Sequence, residues 1–370
     1  MKFHRSVKLH FNKHLTHYKQ GQISAFLAEY SRAVNYFITA YYRKIPKLTK
    51  FELLTKRRIH KCVKLLNTWL SYNAIQCAFM EGYGMVASYQ SNKKLNKHHN
   101  LPIHSGKTAT LNYHSNKQCD APDTKTFDFN ITIQGLGNKT KISIPLHRHK
   151  QFNKWAVLGK RAKTITLTST YILVSFEIES GSKPKITAST TNIGVDTGIN
   201  NLATTSTNNF YGTELRRLIE VINRKQTGSK NQKQAIIHLK QYIDTTINIL
   251  MKAEQPDLIV VEQLKGITRN LKRVGKTTRK LIKSWNYSYW LNRLQQKCEE
   301  NCVVFRSVSA YNTSIKCSNC GLIDKNNRLS QEVFSCGSCG HRDHADHNAA
   351  VNILNRLLQG AYSPLLEKSG

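Results

Sequence analysis

The sequence predicts a multidomain protein of mixed α+β and α/β class: an N-terminal β-barrel interrupted by helices, then an α/β domain with an inserted four-cysteine ribbon. Three observations predict it. Strand-like alternation at the start resumes only after a long stretch of helical periodicity, apolar strands that end in carboxylates alternate with helices in the second half, and two Cys-x-x-Cys pairs lie near the end. A length of 370 residues fits two or three compact units.

Residues 2 to 10 alternate, with Phe3, Val7 and Leu9 apolar among His, Lys and Arg, as a strand with one buried face requires. From Gln22 to about Tyr89 apolar residues instead recur at three- and four-residue steps. Ile23, Phe26, Leu27, Tyr30, Val34 and Phe37 form one stripe, and Leu53, Leu54, Ile59, Val63, Leu66 and Leu70 a second that continues to Phe79. This spacing lines one face of a helix, and Pro46 parts the two. Gly82 to Gln118 carries Lys, His and Tyr but no acid, which fits either phosphate contacts or a solvated loop. Short β-type runs follow at Phe127–Ile133, Lys141–Ile144, Thr164–Thr168 and Tyr171–Ile178. The expected barrel therefore takes residues 1–20 and 90–184, with a helical domain inserted at 21–89.

Gly181 to Pro184 reads as a linker, after which the texture is α/β. Asn192–Asp196, Leu202–Thr205 and Asn209–Gly212 read as strands, followed by helices that stop at Pro256. Asp257–Glu262 is apolar on both faces, like a buried parallel strand. A helix from about Trp285 to Glu300 leads into the strand Val303–Val308. This domain takes residues 185–312 and 342–370, with the ribbon at 313–341.

The chain has 56 Lys and Arg against 22 Asp and Glu, a formal charge of +34. An excess of that size calls for a polyanion, because each phosphate neutralised releases counterions. No apolar run reaches the roughly 18 residues of a spanning helix, and Met1 to His17 has no continuous apolar segment of the export type. The expectation is a cytoplasmic protein, nucleoid-associated when bound to DNA, with no membrane partner. Nine cysteines in an uneven set do not read as a disulfide framework. Cys298 and Cys302, one helical turn apart, fit metal ligands or, as the more ordinary use, buried thiols.

Cys317 and Cys320, then Cys336 and Cys339, form two knuckles with fifteen residues between them, the spacing of a structural Zn²⁺ site. Redox thiols are the alternative, and four sulfurs leave no open position for a catalytic zinc. Asp196 ends one hydrophobic strand and Glu262 another, while Asp346 opens an amphipathic helix. Singly each has an ordinary explanation: a turn or cap for Asp196, an ion pair with Lys265 for Glu262, an N-cap for Asp346. Jointly, two strand ends and a helix start can converge, and hard divalent cations need carboxylates gathered in one place.

At these residues the chain resembles the TnpB or OrfB family of transposon-encoded nucleases, a pattern shared by miniature type V CRISPR effectors. The matching segments are Gly194–Ala203, Ile259–Lys265, Thr313–Gly321, Cys336–Gly340 and His344–Ile353, in that order. The resemblance implies an RNase H-like RuvC domain in which Asp196, Glu262 and Asp346 hold two catalytic Mg²⁺ ions, a wedge-type barrel and a helical recognition domain. Asp343 does not match the motif. It further implies a guide RNA encoded near the gene and a double-stranded DNA target beside a short duplex motif; a monomer is expected in preference to a dimer. The segment after Glu262 is rich in Lys and Arg and lacks acid; Arg269, Lys272, Arg273, Lys276, Arg279, Lys280 and Lys283 fit a nucleic-acid channel or a solvated basic face. Of Trp285, Tyr287, Tyr289 and Trp290, at least two are expected to pack in the core. The expected activity is RNA-guided DNA cleavage encoded by a transposon. The alternatives are a CRISPR effector of the same chemistry and a guided DNA-binding repressor that does not cut.

Overall fold

The computed structural model describes residues 2–11, 15–42, 65–94, 100–120, 127–134, 137, 141–179, 181, 190–263 and 286–358. The chain divides into two compact units, 2–179 and 180–370. In the first, strand β1 (Lys2–His10) alternates in burial as its sequence alternates, with Phe3, Val7 and Leu9 inward. Helix α1 (His17–Tyr41), capped by the Thr16 hydroxyl, and helix α2 (Tyr72–Lys94) follow. Then come β2 (Thr108–Leu111), β3 (Asn116–Asp120), β4 (Phe129–Ile133), β5 (Ile142–Leu146), helix α3 (Lys150–Leu158), β6 (Gly159–Thr168) and β7 (Tyr171–Glu179).

β1 pairs along its whole length with β7, from Lys2 opposite Glu179 to His10 opposite Tyr171. Everything between, α1 and α2 included, is thus inserted between two neighbouring strands. The expected closed barrel is not what forms among the described residues. There are two antiparallel sheets, ordered β1-β7-β6-β2 and β3-β4-β5. The reason lies in β6, whose pairing with β7 shifts register between Arg161 and Ile165. At this bulge the carbonyls of Ala162 and Lys163 accept side-chain amides of Gln118 and Asn116, at 3.0 and 2.9 Å. Side chains of β3 thereby satisfy the β6 edge where a ladder would have closed the barrel. One core runs through both sheets and the helices, from Leu9 and Phe26 to Ile131 and Phe176.

The second unit is built on a five-stranded sheet ordered β10-β9-β8-β11-β12. β8 (Asn192–Asp196), β9 (Ala203–Thr205) and β10 (Phe210–Tyr211) form an antiparallel meander, and β11 (Leu258–Gln263) and β12 (Val304–Ser309) run parallel to β8. Helices α4 (Leu215–Arg224) and α5 (Lys230–Glu254) cross over between β10 and β11, and α6 (Tyr287–Glu300) precedes β12. The side chains of β11 alternate between two cores. Ile259 and Val261 join α4, α5 and α6, while Leu258 and Val260 join Ile353 of α7 (Ala345–Leu358). Covered on both faces, the strand must be continuously apolar, as its sequence is. The hairpin β13 (Val333–Ser335) and β14 (Arg342–His344) leads directly into α7. Among the described residues no helix is long and apolar enough to cross a membrane.

Candidate active site and zinc ribbon

The sheet delivers two of the three carboxylates. β8 and β11 stay in register from Asn192 beside Leu258 to Val195 beside Val261, so Asp196 and Glu262 each follow the last of these pairs at the same sheet edge. This carboxyl edge is where open α/β sheets place their sites. Asp346 arrives on the first turn of α7. That helix packs so closely on β8 that a methyl at Gly194 would overlap the Ala350 carbonyl oxygen and lie 2.9 Å from the Leu354 nitrogen. Only glycine permits the approach that brings Asp346 to the end of β8.

Glu262 is 8% exposed and its Oε2 accepts a 3.2 Å hydrogen bond from the Thr313 hydroxyl. Its backbone carbonyl accepts from the Tyr287 hydroxyl at 2.9 Å. The Asp346 carboxylate accepts from Arg328 Nη2 at 3.2 Å. The cap at this helix start comes from His344, whose Nδ1 accepts the Asp346 N–H at 3.2 Å. Neighbouring Asp343 instead binds His347 Nδ1, at 2.7 Å. Burial, reinforced by the carboxylates of Glu262 and Asp346, pushes the Asp196 carboxyl well above the usual range, with Arg328 drawing it down. Three acids beside one guanidinium leave the cluster short of positive charge, and hard oxygen donors are what a divalent cation takes.

The ribbon provides a second metal-type constellation. Among the described residues, the donor atoms of Cys317, Cys320, Cys336 and Cys339 all lie within 4.8 Å of one another. The sulfurs of Cys317 and Cys339 are 3.7 Å apart and those of Cys320 and Cys336 3.5 Å. A tetrahedron of ~2.3 Å zinc–sulfur bonds puts its sulfurs about 3.8 Å apart, whereas a disulfide would need ~2.05 Å. The donor set therefore fits zinc. Gly321 and Gly340 adopt φ of 82° and 70° just after each pair, turning the knuckles. The backbone N–H of His341 leads in lowering the Cys339 thiol to about 6, and the N–H groups of Cys339 and Ser338 lower that of Cys336; against the Leu322 N–H, the neighbouring Cys339 sulfur and burial push the Cys320 thiol up to about 12, so two of the four favour the thiolate that zinc requires.

Cys298 is buried, and Cys302 lies with its sulfur 3.8 Å from the Gly181 carbonyl oxygen. Trp290 is fully buried and Tyr287 and Tyr289 pack beside it, so these aromatics serve the core. Trp285, Lys265 and the basic residues Arg269, Lys272, Arg273, Lys276, Arg279, Lys280 and Lys283 lie outside the described residues. The sequence did not single out Arg328, Thr313 or the Tyr287 contact. Arg328 stands in the spacer between the cysteine pairs, where no periodicity marks it, and Thr313 carried only the weak signal of opening a shared motif.

Residues 287–353 match the family model described as Cas12f1-like, TNB domain. The chain is 34% identical over 91 residues to the CRISPR-associated endodeoxyribonuclease Cas12f1 of Sulfoacidibacillus thermotolerans, an alignment covering 25% of this chain and 21% of that protein. It is 39% identical over 67 residues to the CRISPR-associated DNA-binding protein Cas12m of Thermanaerosceptrum fracticalcis, covering 18% and 11%. The chain thus spans about a fifth or less of these relatives' lengths. Its fold is similar to the protein in a cryo-EM structure of a Cas12f1–sgRNA–target DNA complex, with a TM-score of 0.55 and 13% identity over 96% of this chain and 99% of that one. The sequence match to the family model thus lies in the C-terminal part of the chain, while the likeness in fold extends over most of its length.

Proposed function

We propose that this protein is a metal-dependent DNA endonuclease directed by a bound RNA. The observation that carries the proposal is the convergence of Asp196, Glu262 and Asp346 from two parallel strands and one helix, with Asp196 raised in pKa by its burial and by the other two. Asp196, Glu262 and Asp346 would together hold divalent metal ions, Mg²⁺ in this reading. Ions held there would supply an activated water and stabilise the departing oxygen of a phosphodiester. Thr313 and Tyr287 hold Glu262 in place, and Arg328 sets a guanidinium at Asp346 where it can meet a phosphate oxygen. The four cysteines bind a structural zinc. All three carboxylates come from one chain, so a monomer suffices for the chemistry.

RNA and DNA as partners accord with the +34 charge and with the guide and target in the complex of similar fold. The basic run from Arg269 to Lys283 is assigned to phosphate contacts on its sequence alone. Neighbouring sequence decides the genetic setting: a transposon end supports a transposon-encoded nuclease, a repeat array a CRISPR effector. A non-cutting, guided DNA binder is the second reading, favoured by the match to a relative named as a DNA-binding protein. The test is to purify the protein with its co-expressed RNA, sequence that RNA, and incubate matched DNA with Mg²⁺. Cleavage into 5′-phosphate and 3′-hydroxyl ends that vanishes in Asp196→Ala is expected. Tight binding with intact DNA selects the second reading.

A further inference from the structure

Two asparagines on α7 have their amides committed to the zinc ribbon. Asn348, fully buried, accepts the Ser318 N–H at 2.9 Å and donates to the Lys316 carbonyl at 2.9 Å. Asn352, 4% exposed, donates to the same Lys316 carbonyl at 2.7 Å and to the Thr313 carbonyl at 3.0 Å. Lys316 and Ser318 flank Cys317, so the pair grips the first zinc knuckle on both sides. Asn348 is also two residues beyond Asp346 on the same helix. From Thr313 the contact chain continues, since its hydroxyl lies 3.2 Å from Glu262 Oε2 and shares its one proton between that oxygen and the Ala310 carbonyl, also at 3.2 Å.

The clamp thus joins three things that could otherwise drift: the helix bearing Asp346, the knuckle bearing Cys317, and the hydroxyl that orients Glu262. Buried amides at such positions are costly unless every polar group finds a partner. Alanine or leucine would pack a helix against a loop more cheaply, but without direction. Hydrogen bonds to three successive backbone segments define both the distance and the rotation of the ribbon on the helix.

We propose that Asn348 and Asn352 are positioning residues that lock the zinc ribbon to the carboxylate cluster, with Asn352 acting through Thr313 on Glu262. This deepens the metal-site assignment and rests on it. Changes to groups that orient metal ligands weaken metal binding by about 10- to 100-fold, and the same is expected here.

The experiment is a double-mutant cycle on the whole chain, read by Mn²⁺ titration with electron paramagnetic resonance and by zinc content. Asn352→Ala and Thr313→Val each weaken Mn²⁺ binding about tenfold, the double variant no more than either alone, and Thr313→Ser restores it, while zinc stays at the wild-type level. Unchanged Mn²⁺ binding in Asn352→Ala, or effects that multiply in the double variant, overturns the proposal. Cleavage of matched DNA by the same samples separates the two claims. Wild-type protein with Asn352-dependent Mn²⁺ binding that leaves DNA intact sustains the clamp and sinks the nuclease; cleavage with Asn352-independent binding does the reverse.

Discussion

Replacing Gly194 with alanine should abolish most activity without touching a carboxylate. The added methyl would overlap the Ala350 carbonyl oxygen and crowd Leu354, at 2.9 Å from its nitrogen and 3.0 Å from its Cβ. Both neighbours belong to the α7 main chain or its first side-chain atom, so no rotamer change relieves the clash. The helix itself must retreat from β8 by on the order of 1 Å, at a cost of about 1–3 kcal/mol typical of overpacking. Asp346 lies four residues before Ala350 on the same rigid helix and moves with it, away from Asp196. A 1 Å misplacement of reacting groups costs roughly 100-fold in rate. The assay is single-turnover cleavage of matched DNA by the RNA-loaded protein, beside thermal unfolding of the same sample. A variant that melts a few degrees lower yet still folds and cuts about 100-fold more slowly is expected. Cleavage at the wild-type rate would refute the argument that α7 needs a bare backbone at Gly194 to place Asp346.

Asp196→Asn should remove cleavage yet stabilise the protein without added magnesium. The folded carboxyl titrates above its unfolded value of about 3.9, so the folded state binds the extra proton and stability falls as pH rises through that interval. The gain in melting temperature should grow as pH rises through that interval and fade towards pH 4; a gain that does not depend on pH counts against the crowding of the three acids. Arg328→Ala removes the guanidinium at Asp346 and should slow cleavage about 100-fold with RNA binding retained, in line with the loss of one preorganised donor. An unaltered rate would make the Arg328 contact merely structural. Purified protein should hold one zinc, and Cys320→Ser less than one; a variant that still carries a full equivalent removes the ribbon assignment.

Much of the fold was legible in the sequence because it follows from local periodicity. The alternation of residues 2–10, the doubly apolar run before Glu262 and the two cysteine knuckles each reproduce a constraint that neighbouring residues share. Strands β2 and β3 and helix α3 were not legible. β2 and β3 fall in polar, basic sequence and draw their stability from pairing with distant strands, Thr108 with Thr168 and Asn116 with Ile133. The closed barrel that the alternation predicts does not form for a related reason, since alternation identifies strands and says nothing about a bulge that leaves a sheet edge to side-chain amides. The three carboxylates could be named from motif order alone. Only the folded chain shows that Asp196 and Glu262 follow the same rung, that Gly194 lets α7 bring Asp346 alongside, and that Arg328 and Thr313 reach in from the ribbon. Sequence records what each residue demands of its neighbours along the chain; the meeting of groups 50 to 150 positions apart is set by sheet register and close packing, which exist only once the tertiary structure has formed.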